Sequence, residues 1–583
     1  MSAGSPPEPA SAGTPEAWLD SWHDNRRDAW MAADDGVPLA TRLWRPPHGQ
    51  GPWPALLMRQ PYGRRIASSV VYAHPRWYAA HGFLVAVQDV RGRGDSGGHF
   101  AGFAQEGSDG RCAVRWLRAH PACNGRVGTY GFSYQGLSQL LIGVGEPQDD
   151  ALPDALAPAM AGLDERRHWA AEGGAHWWAL LVGWGLQLAA EGCRRCGDRA
   201  GWQEIRQCLE SGGWPREGEA LLQRLDPEGM VARWLRRDPA RPQGWAVHRP
   251  AEALLRRPML LIGGWHDPHL RGVLDLWRRS HAAGGRPSLV VGAWSHLDWR
   301  GGIDERQLAF FREHLQGHRE PQTAQLGGAG PAPTIALQDA LRGDWRTIPV
   351  PAAGRGGLGG GRGERRVWRL GSGGLAAVRS DEGALLAMGP GVAMGPGVAM
   401  GPGGGRLTLV HDPWRPVPGR GGHLGPEPGV VERADLDGRC DVACFTTAPL
   451  TADLELLGEP RLVIRVHSEG GGFDLCAALS VVSGDGSRVR QLCVGVRRRW
   501  GGPEGGASDG GSLRLRLQPL RATLRSGERL RLSLSGAAWP QIGVHPGALG
   551  RAAGPTGPDH RVIPLEFDLT GATLWLAPLA GPG

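Results

Sequence analysis

Apolar residues fall in short continuous runs early in the chain and in strict alternation late in it. Residues 54–58 and 83–87 are continuous runs, the pattern of strands covered on both faces. Residues 112–119 carry Val114 and Leu117 at helical spacing, and residues 126–130 form a further β-prone run. Residues 258–263 and 287–292 repeat the buried-strand pattern, and residues 303–315 read as a closing helix. Strands alternating with helices predict a parallel sheet covered on both sides. Between residues 152 and 247 the β-prone runs disappear. Trp177, Leu180, Leu181, Trp184 and Leu188 share one helical face there, which predicts a helical insertion dividing the α/β domain. After residue 324 the pattern becomes period-two, in the runs 367–370, 461–466, 513–517 and 529–534, with Gly- and Pro-rich gaps. That is the pattern of an antiparallel sandwich or jelly roll.

The expected organisation follows. It is a disordered tail over 1–19, an α/β domain over 20–150 and 248–323, a helical cap over 151–247, and an all-β domain over 324–583. A hexapeptide repeat from Ala387 to Gly403 reads as an expanded surface loop.

Composition narrows the classes. Hydrophobic content of 41% and charge of 21% suit a globular, soluble chain. No run approaches the roughly 20 apolar residues of a membrane span, and the N-terminus lacks a secretory pattern. Net charge is +7, and every basic residue is arginine. These arginines are scattered rather than striped, so codon bias explains them better than nucleic-acid binding. Nine cysteines, an odd number without a secretory signal, fit a reducing cytoplasm. Cys193 and Cys196 form a C-x-x-C with no second pair at zinc-ribbon spacing, and ordinary structural cysteines are the expectation.

The chemistry centres on Gly131-Phe132-Ser133-Tyr134-Gln135-Gly136, between a predicted strand and a helix-like run. A serine on such a turn reads as a nucleophile elbow. In a chain with 94 glycines the motif alone is weak evidence. Asp267 follows the strand 258–263, in Gly264-Trp265-His266-Asp267, and His296 follows the strand 287–292, in Trp294-Ser295-His296. Ligands of open α/β sheets bind at the carboxyl ends of the strands, and Ser, Asp, His is the α/β-hydrolase order. A serine needs a base to lose its proton, histidine titrates near neutrality, and a buried carboxylate sets the imidazole tautomer. His266, His269 and Asp298 are expected to be supporting or surface groups. The oxyanion needs two donors. The backbone N–H of Tyr134 supplies one, and the phenol of Tyr62 in Gln60-Pro61-Tyr62-Gly63 is the candidate for the other, since that loop holds no glycine-rich motif. Trp169, Trp177 and Trp265 are candidates for an apolar pocket wall. No cofactor or metal is expected.

Gln60-Pro61-Tyr62, Gln88-Asp89-Val90-Arg91-Gly92-Arg93-Gly94, Asp109-Gly110, Cys123-Asn124-Gly125-Arg126-Val127-Gly128, the elbow, and the acid and base segments resemble the cocaine esterase-like hydrolases. These are related to the X-prolyl dipeptidyl peptidases and the α-amino acid ester hydrolases. Asp412-Pro413, Arg439-Cys440-Asp441-Val442 and Asp453-Leu454-Glu455-Leu456-Leu457-Gly458 resemble the same family's C-terminal jelly roll. The resemblance implies an α/β-hydrolase fold with a helical cap and a C-terminal jelly roll, and Tyr62 as the side-chain oxyanion donor. One branch binds a substrate ammonium with acidic residues placed soon after the triad acid. Here Pro268-His269-Leu270 follow Asp267, and only Asp164 and Glu165 in the insertion stand as substitutes. The expectation is therefore a serine hydrolase of small carboxylic esters, with amides also open. X-prolyl dipeptidyl-peptidase and acyltransferase chemistry remain alternatives on the same triad. A carbohydrate-binding protein with a vestigial hydrolase domain is the non-enzymatic one. Cap and jelly roll both offer surfaces for self-association.

Overall fold

The computed structural model describes residues 22, 24–65, 72–145, 147–299, 301–317, 334–350, 366–388, 405–469, 472–501, 511–548 and 552–579. The expected tail over 1–19 and the hexapeptide repeat beyond Met388 lie outside them.

The first sheet has ten strands. They are β1 (Arg26–Ala32), β2 (Pro38–Trp44), β3 (Trp53–Gln60), β4 (Leu84–Asp89), β5 (Cys123–Phe132), β6 (Ala155–Ala159), β9 (Leu260–His266), β10 (Ser288–Ser295), β11 (Thr334–Gln338) and β12 (Trp345–Pro349). Their order across the sheet is β1-β2-β4-β3-β5-β6-β9-β10-β11-β12. A two-stranded hairpin, β7 (Ala171–Glu172) and β8 (Ala175–His176), stands apart from this sheet. From β4 through β11 each neighbouring pair is parallel, and β1, β2 and β12 are antiparallel to their neighbours. Every position of β4, β6 and β9 is buried, as continuous apolar runs require when helices cover both faces.

Two boundaries differ from expectation. β6 lies inside the stretch read as insertion. Its sequence, Ala-Leu-Ala-Pro-Ala, has little strand propensity, yet it pairs with β5 and β9. Small residues are needed there because the helix Tyr134–Leu141 presses on this strand: a Cβ at Gly136 would lie 2.5 Å from the Ala159 carbonyl oxygen. The sheet also runs past residue 323, because β11 adds to β10 and β12 to β11. The cap proper comprises the helices Trp178–Cys196, Arg199–Glu210, Trp214–Leu225 and Met230–Leu235. Cys193 and Cys196 lie at the end of the first of these, both as free thiols.

The C-terminal domain is all-β. Its strands are β13 (Val367–Gly371), β14 (Gly383–Met388), β15 (Arg406–His411), β16 (Val431–Glu432), β17 (Val442–Thr446), β18 (Leu454–Ser468), β19 (Gly472–Val482), β20 (Val489–Trp500), β21 (Ser512–Arg516), β22 (Leu520–Leu524), β23 (Arg529–Ser535) and β24 (Ile563–Ala577). They join one twelve-stranded sheet with a single parallel pair, β14 with β17. β21 and β23 follow the expected alternating runs, and β18 extends one of them at both ends. β19 carries no alternation because all eleven of its residues are buried. Cys476 on β19 packs with Trp177 of the cap segment and Val496 of β20, so the strand is covered by the domain's core on one side and by the cap on the other.

Candidate active site

Four parallel strands deliver the candidate residues to one sheet edge. Ser133 follows β5, Tyr62 follows β3 beside it, and Asp267 and His296 follow the adjacent strands β9 and β10. Ser133 sits at φ 57°, ψ −126°, a conformation that non-glycine residues rarely adopt and that concentrates at functional sites. Its backbone N–H is tied to Ala159 O at 2.9 Å, which holds the turn against β6. Gly131, at φ 139°, is required for the same turn, because a Cβ there would lie 2.4 Å from Gln135 Cβ. Ser133 Oγ makes no hydrogen bond among the described residues, a looseness common in sites without bound substrate.

Asp267 and His296 meet directly. His296 Nδ1 lies 2.6 Å from Asp267 Oδ1. A carboxylate only accepts, so Nδ1 carries the proton and Nε2 is left as the base. Asp267 is fully buried, and its second oxygen accepts the backbone N–H of His269 at 3.0 Å. The β9–β10 register shifts between Gly292 and Ser295, an irregularity in the ladder just before His296. The Phe132 ring, adjoining Ser133, lies 5.4 Å from the His296 ring.

The Tyr62 hydroxyl accepts a 3.0 Å hydrogen bond from Trp184 Nε1 of the cap. Burial pushes its pKa up to about 12, against the opposing effects of Trp184 and the Arg93 charge. The phenol is therefore protonated at neutral pH. With one lone pair occupied by Trp184, its own hydrogen remains available for donation. Tyr134 opens the helix Tyr134–Leu141, so its N–H is among those no helical carbonyl takes up. Its phenol is spent elsewhere, donating to Gly102 O at 2.9 Å.

The three tryptophans separate. Trp169 and Trp177 pack on His269, at ring distances of 4.5 and 5.9 Å, and His269 lies 5.0 Å from His296. Trp265 does not join them. Like the other two it is 1% exposed, and its indole donates to Gln338 O on β11 at 2.6 Å. His269 is deeply buried, and burial pushes its pKa down to about 4, so it is neutral at neutral pH. His266 is likewise buried and held at about 4, first by burial and then by His423, whereas Asp298 is exposed. Asp267, His269 and His296 also form the one group of three potential metal ligands among the described residues. Their contacts are those of an oriented base, since Nδ1 of each histidine is already engaged, by Asp267 or by His168 O.

The two acids of the insertion are engaged. Asp164 is paired with Arg167 at 2.7 Å, and Glu165 accepts from Trp234 Nε1 at 3.2 Å and contacts His248 Nε2 at 3.2 Å. The Asp89-to-Gly94 motif is structural beneath the site. Asp89 pairs with Arg64, and Arg91 makes a two-bond contact with Asp109 at 3.0 and 2.7 Å.

Residues 35–298 match the family described as X-Pro dipeptidyl-peptidase (S15 family), and residues 408–560 match the X-Pro dipeptidyl-peptidase C-terminal non-catalytic domain. Cocaine esterase of Rhodococcus sp. (strain MB1 Bresler) is 28% identical over 505 residues, covering 80% of this chain and 81% of that protein. These matches support a hydrolase similar to the S15 peptidases and the cocaine esterases. The hydrolase shares its whole fold with an aminopeptidase from a marine sediment Thaumarchaeota archaeon, at TM-score 0.64 and 18% identity over 99% of this chain and 98% of that one. An α-amino acid ester hydrolase superposes at TM-score 0.62 and 16% identity over 95% and 96%. At these identities the likeness concerns fold alone. Among the hydrolase's described residues no helix is long and apolar enough to cross a membrane.

Sequence reading found the triad candidates because each follows its own strand. It did not pair Tyr62 with Trp184, which lie 122 residues apart. It also missed Gln518, whose side chain reaches Asp267 from the C-terminal domain.

Proposed function

We propose that this hydrolase cleaves carboxylic esters through an acyl-enzyme on Ser133. The observation that carries the reading is the 2.6 Å contact between His296 Nδ1 and Asp267 Oδ1, on the sheet edge where Ser133 stands in a strained turn. His296 Nε2 takes the Ser133 proton as Oγ attacks the carbonyl carbon, and Asp267 stabilises the imidazolium that forms. The Tyr62 hydroxyl and the Tyr134 N–H donate to the oxyanion. His296 then returns the proton to the departing alcohol. Water, deprotonated by the same histidine, releases the acid.

Ester substrates with neutral, apolar groups are favoured over peptides with a free amino terminus. Asp164 and Glu165 are occupied by Arg167, Trp234 and His248, which leaves neither as a ready partner for a substrate ammonium. The Trp169 and Trp177 rings pack beside His269 and make its surroundings apolar. The S15 match keeps X-prolyl dipeptidyl-peptidase activity as the second reading. Rates on a panel of short acyl esters and on a Xaa-Pro amide, measured side by side, separate the two. The ester panel is expected to give the higher kcat/KM, and a preference for the Xaa-Pro amide overturns the ester reading.

Tyr62→Phe tests the second oxyanion donor. It removes the hydroxyl that Trp184 orients and keeps the ring. Loss of one such donor costs roughly 2.7–4 kcal/mol of transition-state stabilisation, or about 10²–10³ in kcat. The loss is expected in kcat with KM nearly unchanged, because the bond strengthens only as the oxyanion forms. An unchanged kcat would remove Tyr62 from the mechanism.

A further inference from the structure

The C-terminal domain touches the triad acid. Gln518 Nε2 donates to the backbone carbonyl of Asp267 at 2.8 Å, across 251 residues of chain. Gln518 is 1% exposed, so this bond forms in a water-excluded place where the carbonyl has few alternatives. The adjoining Leu517 carbonyl accepts from Arg271 Nη2 at 2.9 Å, four residues past the acid. Arg271 is tied further to Glu172 at 3.0 Å and to Glu459 of β18 at 3.4 Å. His423, from the loop before β16, closes on the same Glu172 carboxylate at 2.7 Å. Burial alone would raise the Glu172 pKa, and the His423 and Arg271 charges outweigh it and hold it at about 2. The pair Leu517–Gln518 is itself fixed in its own domain, by Leu517 N–H to Pro460 O and Gln518 N–H to Val494 O, both at 2.9 Å.

We propose that Gln518 is a positioning residue for Asp267, and that the C-terminal domain thereby holds the triad's acid in register with His296. The Asp267 carbonyl sits at the turn from β9 into the helix Leu270–Ala282 and also accepts the Leu270 N–H at 3.2 Å. A donor on this carbonyl sets the rotation of the peptide plane just after the acid. That rotation determines where the next amides point. One of them, the His269 N–H, fixes the second carboxylate oxygen. A small rotation of this turn therefore tilts the carboxylate away from His296 Nδ1. The inference rests on the triad reading above and assigns a role in catalysis to a domain whose family description is non-catalytic.

The test uses the full-length enzyme. Gln518→Leu keeps bulk and removes the donor, and Gln518→Asn keeps an amide but draws it back from the carbonyl. Gln541→Leu is the matched control: Gln541 is equally buried and donates to the Gly421 carbonyl at 2.8 Å, away from the acid. Both Gln518 variants are expected to lose roughly 10- to 100-fold in kcat, the scale of a small misplacement of a catalytic group, with KM little changed. The downfield proton resonance of the His296 Nδ1–H···Asp267 bond should shift or broaden in both. Gln541→Leu should lower the melting temperature while leaving kcat and that resonance as in the wild type. If Gln518→Leu does not fold, Gln518→Asn decides. Wild-type kcat and resonance in a folded Gln518 variant, or equal losses in the Gln541 control, overturn the proposal. Failure of the triad reading is distinct, since it would appear as full activity when Asp267 itself is replaced.

Discussion

Ser133→Ala is expected to lower ester turnover by about a millionfold and to abolish labelling by a fluorophosphonate probe. The size follows from the division of labour at the site. His296 and the oxyanion donors can assist an attacking oxygen, but without Oγ there is no acyl-enzyme for them to stabilise. The substitution should leave the fold intact. Ser133 Oγ makes no hydrogen bond among the described residues, and the strained turn is held by the backbone bond to Ala159 O and by the close packing of Gly131 and Gly136. A variant with an unchanged melting temperature and no turnover therefore isolates the chemistry. Persistent labelling of the Ser133→Ala variant by the probe, or retained turnover, would sink the assignment.

Asp267→Asn should reduce kcat by about 10⁴-fold. The reason lies in the two hydrogens that the buried carboxylate faces, one on His296 Nδ1 and one on the His269 backbone N–H. A carboxylate accepts both. An amide has one oxygen, and the His269 N–H, fixed by the start of its helix, claims it. The amide nitrogen then faces His296 Nδ1 and drives the imidazole proton to Nε2, the atom that must be bare to act as base. Side-chain size barely changes, so stability should fall far less than activity. Single-turnover acylation rates measure the effect. A rate within about tenfold of the wild type would take Asp267 out of the triad.

Much of the candidate site was legible because its residues are punctuation. Ser133, Asp267 and His296 each stand directly after a run of buried β-formers, and a parallel sheet delivers all such ends to one edge. The helical insertion was legible from Trp178 to Leu235, where apolar spacing follows the helix. β6 was not, because alanine and proline carry no strand signal and its pairing comes from β5 and β9 on either side. The sheet's last strands, β11 and β12, fell on the far side of a boundary that composition suggested at residue 323.

The proposed triad's residue types and their order are readable along the chain, since residue type and strand-end position are both local properties. How the candidate site's residues are held depended on the folded molecule. Trp184 from the cap orients the Tyr62 phenol, and Gln518 from the C-terminal domain holds the carbonyl of Asp267. Those contacts join residues 122 and 251 positions apart. They arise from how the cap and the β domain pack on the first sheet, and no periodicity along the chain records that packing.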